Sequence, residues 1–134
     1  MPKILVADPI GAEGVELLES RAEVDVKTGL KPPELLAIIS KYDGLVVRSE
    51  TKVTKEVIKA AKLLKVVGRA GIGVDNIDLD AATSAGIAVV NAPTGNTVAA
   101  AEHTMALMLA LSRNVPSAHQ SLKAGEWKRS AFMG

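Results

Sequence analysis

Cysteine is absent from this sequence, which excludes disulfides, thiolate metal sites and cysteine nucleophiles without separating a reducing compartment from an oxidising one. Aromatic residues are almost as scarce, at one Trp, one Tyr and one Phe, so few side chains could stack on bases. Neither sign of charge is in excess: 16 Lys and Arg against 15 Asp and Glu give a net charge of +1, mixed along the chain. Without a basic field, nucleic acid is not an expected partner. Long apolar runs are missing too. The longest, Met105 to Leu111, falls far short of the ~20 residues a membrane span needs, and Met1 to Ile10 has no basic segment leading into an apolar one. A soluble, unanchored protein is expected, with the cytoplasm as its compartment.

Several chemical signatures are also lacking. No Gly-x-Ser-x-Gly elbow and no Walker phosphate loop occurs, which leaves hydrolase and nucleotide-triphosphatase readings without support. His103 and His119 stand apart with no carboxylate pattern around them, so no metal site is expected. Glu102 and His103 are neighbours, but adjacent helical residues point about a quarter-turn apart and do not form an acid-base dyad.

What is present is an α/β alternation. The 134 residues, 48% of them apolar, can fill the core of one α/β unit with appendages. Ile4 to Ala7 reads as a strand ending at Asp8-Pro9, and Gly11 to Ser20 as a helix carrying Val15, Leu17 and Leu18. Val24 and Val26 alternate with charges, as on a half-exposed edge strand, and Pro32-Pro33 opens a helix with Leu35, Leu36, Ile38 and Ile39 inward. Gly44 to Val47 is a buried-strand run, followed by Arg48, Ser49 and a helix capped by Thr54. Leu63 to Val67 is a fourth strand, the Asp78 to Ala85 helix stops at Gly86, and Ile87 to Val90 makes a fifth. Five βα units predict an open five-stranded parallel sheet of order 2-1-3-4-5.

Arg48 and Arg69 occupy the same place, the carboxyl ends of two neighbouring strands, where open α/β sheets bind ligands. Two guanidinium groups there could hold a carboxylate or phosphate through paired hydrogen bonds. Gly71-Ile72-Gly73-Val74-Asp75-Asn76 invites comparison with a dinucleotide loop, but Asn76 replaces the third glycine and Asn91 stands about 20 residues on, where a ribose-binding acid is expected. The preferred reading is a tight turn that brings amides near a ligand, with Asp75, Asn76 and Asp78 hydrogen-bonding the turn and capping the next helix.

From Asn96 the character changes. Asn96 or Thr97 can cap a helix running through Arg113 that is apolar on nearly every side, more than one small domain can bury. Pro116 permits a further helix, completed by Ala118 to Ala124 and stopped at Gly125, and the tail Trp127 to Gly134 has no core of its own.

Four segments, VVRSETKVT (46–54), VVGRAGIGVDNID (66–78), NAPTGNTVAAAEHT (91–104) and GEWKRSAFMG (125–134), together resemble the NAD-dependent D-2-hydroxyacid dehydrogenases over essentially the whole chain. The resemblance implies a flavodoxin-like substrate-binding lobe at 1–95 and dimerisation or interdomain helices with a tail at 96–134, the chain stopping before a Rossmann NAD domain. It implies that Arg48, Ser49 and Arg69 hold substrate phosphate or carboxylate, with backbone contacts from Ala70 and Gly71. Asn96 matches a position beside substrate and nicotinamide, Ile72 a loop position near the cofactor, and Arg129 a basic residue reaching the partner subunit's substrate site. The implied substrate is 3-phosphoglycerate or a related 2-hydroxy acid, the cofactor NAD, and the assembly a homodimer through the 96–124 helices. No residue of the chain matches the family's catalytic arginine, glutamate or histidine, so the chain alone is expected to be inactive. The alternative is a stand-alone, non-catalytic dimerisation or small-anion-sensing module of the same fold.

Overall fold

Short apolar runs that read as buried strands lie side by side in parallel. Strands β1 (Lys3–Val6), β2 (Glu23–Val26), β3 (Gly44–Val47), β4 (Val66–Arg69) and β5 (Ala88–Asn91) form one five-stranded sheet in the order β2-β1-β3-β4-β5. All four pairings are parallel, as right-handed βαβ crossovers require. The connecting helices are α1 (Ala12–Glu19), α2 (Pro32–Ile38), α3 (Lys55–Ala60) and α4 (Leu79–Ser84). The computed structural model describes residues 1–133, in two compact units, Met1–Gly95 and Asn96–Gly134. Gly134, the last residue of the family-like tail, lies outside the described residues.

The core of the first unit sits where the central strands meet the helices. Leu5, Leu45, Val47 and Val67 are at most 1% exposed, and Leu35 of α2 and Ile39 just after it pack in the same buried cluster. Burying such a side chain is worth about 1.5–3 kcal/mol. Leu36 does not join them as expected: α2 gives way to a 3-10 turn at Ile39–Lys41, and a step of one residue turns Leu36 away from the face shared by Leu35 and Ile39. The fourth strand begins later than its apolar run suggests, with Leu63 exposed and Arg69 itself the last strand residue. β2 is the half-exposed edge, with Val26 open to solvent. Its Asp25 accepts the Tyr42 hydroxyl at 2.6 Å, which ties the edge to the loop before β3.

Gly86 ends α4 with φ +69°, a conformation that side chains rarely adopt. Thr54 holds the N-cap position of α3 in extended conformation, but its side chain makes no capping bond. In the second unit, α5 (Thr97–Ser112) and α6 (Val115–Lys123) are joined through Asn114 at φ 54°, and a 3-10 turn follows at Arg129–Phe132. Asn96 is the N-cap of α5, again without a side-chain capping bond, and α6 starts earlier than expected, with Pro116 in its first turn. No residue of α5 is buried; Leu107, Leu109 and Leu111 are each more than half exposed.

Candidate anion-binding site

The site is built from the loops that leave β1, β3, β4 and β5. Register alignment of Val47 with Arg69 puts Arg48 one residue beyond β3, beside the end of β4. Its loop is fastened from below by Asp8, which is 1% exposed. The Asp8 carboxylate accepts the main-chain N–H of Arg48 at 2.6 Å, that of Thr51 at 3.1 Å and the Thr51 hydroxyl at 2.5 Å. A buried carboxylate needs such donors, and three of them hold the loop 48–51 to the end of β1. Sequence reasoning took Asp8 only as the end of a strand, because the donors that surround it come from a distant loop.

The arginines differ in their surroundings. Arg48 is exposed, and among the described residues its guanidinium hydrogen-bonds only the Pro9 carbonyl, at 3.4 Å, and pairs with no acid. Arg69 has a side chain 12% exposed, and its Nε–H donates to Asn76 Oδ1 at 2.8 Å and to the Arg48 carbonyl at 3.3 Å. Its Nη2 stands 3.9 Å from the exposed Asp75 carboxylate, a distance of weak attraction only. The expectation that Asp75, Asn76 and Asp78 order the turn divides among them: Asp78 caps α4 by accepting Ala81 N–H, while Asn76 donates to the carbonyls of Arg48 and Thr51, both at 2.7 Å.

Gly71 and Gly73 matter for clearance. Neither has positive φ, but a Cβ at Gly71 would lie 2.7 Å from Arg69 Nη1, and one at Gly73 would lie 2.9 Å from Asp75 Oδ1. The absent side chains let the guanidinium pack against the loop backbone. Ala70 N–H is bound to the Val47 carbonyl and Gly71 N–H to the Arg69 carbonyl. Among the described residues, the loop N–H groups of Ile72 and Gly73, like those of Val74, Asp75 and Asn76 after them, make no protein hydrogen bond. From the other side, Asn91 Nδ2 donates to the Ile72 carbonyl at 2.6 Å and Ala92 N–H to the Gly71 carbonyl at 3.0 Å.

The fold thus sets the main chain of Arg48 beside Arg69 and the Ala70–Ile72 loop, and Ser49 apart from them. Ser49 is exposed and lines a cleft with Lys52, Thr54, Asp75 and Asn76 that neither arginine lines. Asn96 and Arg129 belong to the second unit, where Arg129 lines a cavity with His119, Leu122, Trp127 and Phe132. Lys128 pairs with Glu126 at 2.8 Å. Among the described residues, no cluster suited to a metal ion occurs and no helix is long and apolar enough to cross a membrane. The Gly71–Asn76 loop does not fit a dinucleotide: the helix after it has only six residues, and the Asp78 carboxylate occupies the N-terminus where a pyrophosphate would sit.

Two arginine-bearing loops thus leave neighbouring strands of a flavodoxin-like sheet, and comparison with known proteins gives the class. The chain belongs to the D-isomer specific 2-hydroxyacid dehydrogenases, whose catalytic domain matches residues 4–129. Within that family it is similar to D-3-phosphoglycerate dehydrogenase: that of Methanocaldococcus jannaschii is 57% identical over 134 residues, covering 100% of this chain and 26% of the relative. Among solved structures, the TT0316 protein of Thermus thermophilus superposes with a TM-score of 0.88 at 34% identity, over 98% of this chain and 44% of that one. The NAD+-bound 3-phosphoglycerate dehydrogenase of Entamoeba histolytica gives 0.74 at 32% identity, over 84% and 39%. The chain therefore spans about a quarter of the length of the curated relatives it matches.

Proposed function

We propose that this chain is the substrate-binding and dimerisation part of a phosphoglycerate dehydrogenase, which oxidises 3-phosphoglycerate to 3-phosphohydroxypyruvate with NAD at the entry to serine synthesis. The observation that carries this reading is the exposed Arg48, without an acidic partner among the described residues, at the edge of a loop whose Ile72 and Gly73 N–H groups are open. Arg48 and the Nη edge of Arg69, which has only the weak Asp75 contact at 3.9 Å among the described residues, take the charge of the phosphate or carboxylate, and the two amides take oxygens of the same substrate. Ser49 adds a hydroxyl donor, and the backbone of Ala70 and Gly71 shapes the floor.

The part played by these residues is orientation: a substrate fixed at its charged ends presents its hydroxyl in one direction. The bound nicotinamide of the whole enzyme supplies the hydride acceptor. On this reading Ile72 faces the cofactor side of the loop, Asn96 stands beside substrate and nicotinamide, and Arg129 serves the partner subunit's site. The helices at 96–124 pair two copies; the exposed Leu107, Leu109 and Leu111 of α5 support this, since a helix apolar all round calls for cover.

Calorimetric titration tests the reading. 3-Phosphoglycerate should bind the chain more tightly than glycerate, and Arg48→Ala should weaken it by about tenfold or more, the size of one lost charge-assisted pair. Equal binding of the two acids, or an unchanged affinity in Arg48→Ala, contradicts it. NAD reduction by the pure chain would contradict the assignment to a binding part.

A further inference from the structure

We propose that Asn76 is the positioning residue of the anion site, the one side chain that sets both arginine-bearing loops before a ligand arrives; this rests on the anion-binding reading above. Its amide group joins three points. Nδ2 donates to the Arg48 and Thr51 carbonyls, each at 2.7 Å, and Oδ1 accepts from Arg69 Nε at 2.8 Å. The chemistry leaves no alternative orientation: two carbonyl oxygens require a donor between them, and the Nε–H requires an acceptor.

The consequence for Arg69 is geometric. A guanidinium held at Nε, and packed against Gly71 at Nη1, has its plane fixed and its Nη edge free of strong protein partners. Fixing that plane in the free protein removes ordering entropy from the binding step. For Arg48, the bond to its carbonyl works against the Asp8 bond to its amide, so the backbone of this residue is held from both sides. The Asn76 backbone does not depend on its own side chain: Val53 N–H donates to the Asn76 carbonyl at 2.8 Å, Asp78 N–H donates to the Val53 carbonyl at 2.9 Å, and Val53 is fully buried. Removing the amide group therefore loosens the arginines while the loop stays in place.

The test uses the full-length protein with Asn76→Ala and Asn76→Asp, and Asp78→Ala as a control that breaks the α4 cap without touching either arginine. Titration with 3-phosphoglycerate and with inorganic phosphate should show at least about a tenfold weaker affinity in both Asn76 variants, the scale of one or two lost hydrogen bonds to a charged group. Asp78→Ala should lower the melting temperature and leave affinity unchanged. In the NMR spectrum the Arg69 Nε–H signal should be slowly exchanging in the unaltered protein and in Asp78→Ala, and lost in Asn76→Ala. Wild-type affinity in Asn76→Ala, or an equal loss in Asp78→Ala, overturns the proposal. Should the unaltered protein bind neither anion, the anion-site reading itself fails, and the Arg69 signal still decides whether Asn76 holds the guanidinium.

Discussion

The main-chain N–H of Arg48 rests on the buried carboxylate of Asp8 at 2.6 Å, so an acid at the end of one strand holds the base at the end of the next. Asp8 makes no substrate contact, yet it is the main anchor of the loop bearing Arg48 and Ser49 on the β1 side, where the other described link is the long bond from the Arg48 side chain to the Pro9 carbonyl at 3.4 Å. Replacing Asp8 with Ala leaves two amides and a hydroxyl without their acceptor. We predict a loss of about 2–4 kcal/mol in urea unfolding, since each buried donor left unpaired costs on the order of 1–3 kcal/mol and water can reach some of them. A variant as stable as the parent would contradict that role.

Gly71→Ala separates shape from stability. The new Cβ would lie 2.7 Å from Arg69 Nη1, and Arg69 is the group that must move. Because the clash is with the end of a side chain, stability should change by less than about 1 kcal/mol. Anion affinity should fall by about tenfold as the guanidinium turns out of line. Unfolding and calorimetry on one preparation decide it; a large stability loss with unchanged affinity is the contrary result.

The edge of the sheet should set the pH range of the fold. The Tyr42 hydroxyl, with Lys3 and Lys27 nearby, holds Asp25 below its ordinary 3.8, and the Lys3 N–H does the same for Asp43. A carboxyl depressed by folding contributes stability above its unfolded value and loses it as pH falls through the folded one. Lys3, through Glu23, and Lys27, through Tyr42, are raised above 10.5, so their contribution is present below that value and lost as pH rises beyond it. The urea midpoint should be flat between about pH 5 and 9 and fall on both sides. Tyr42→Phe should make the acid-side fall shallower. A midpoint unchanged from pH 6 to pH 3 would contradict the assignment.

Helix α5 supplies a prediction about assembly. With Leu107, Leu109 and Leu111 all exposed, light scattering across a dilution series should give the mass of a dimer. Leu107→Glu or Leu109→Glu should shift it to the monomer, because a charge in an apolar interface stays without a partner. A folded monomer at every concentration would remove the basis for Arg129 acting in trans.

The strands and their order were legible because a doubly covered parallel strand leaves a short apolar run with sharp ends, and five such runs allow few right-handed arrangements. Arg48 and Arg69 were legible for the same reason, each standing where a run stops. Asp8 was not, because nothing in a linear sequence says that an acid after a strand is buried rather than solvated. The glycines were read correctly as a loop signal but for a different cause: Gly71 is needed beside a side chain, a contact that no local pattern encodes. Leu36 was misplaced because α2 buries one stripe, shared by Leu35 and Ile39, and a step of one residue already points away from it. The absent side-chain caps at Thr54 and Asn96 show residue type without the rotamer that capping needs.

The most direct measurement is an amide NMR titration of the protein with 3-phosphoglycerate. The largest shifts should fall on Arg48, Ser49, Ile72 and Gly73, with the Arg69 Nε–H following them and the α3–α4 surface unmoved. Shifts absent from these residues, or centred elsewhere, would contradict an anion site at the carboxyl ends of β3 and β4.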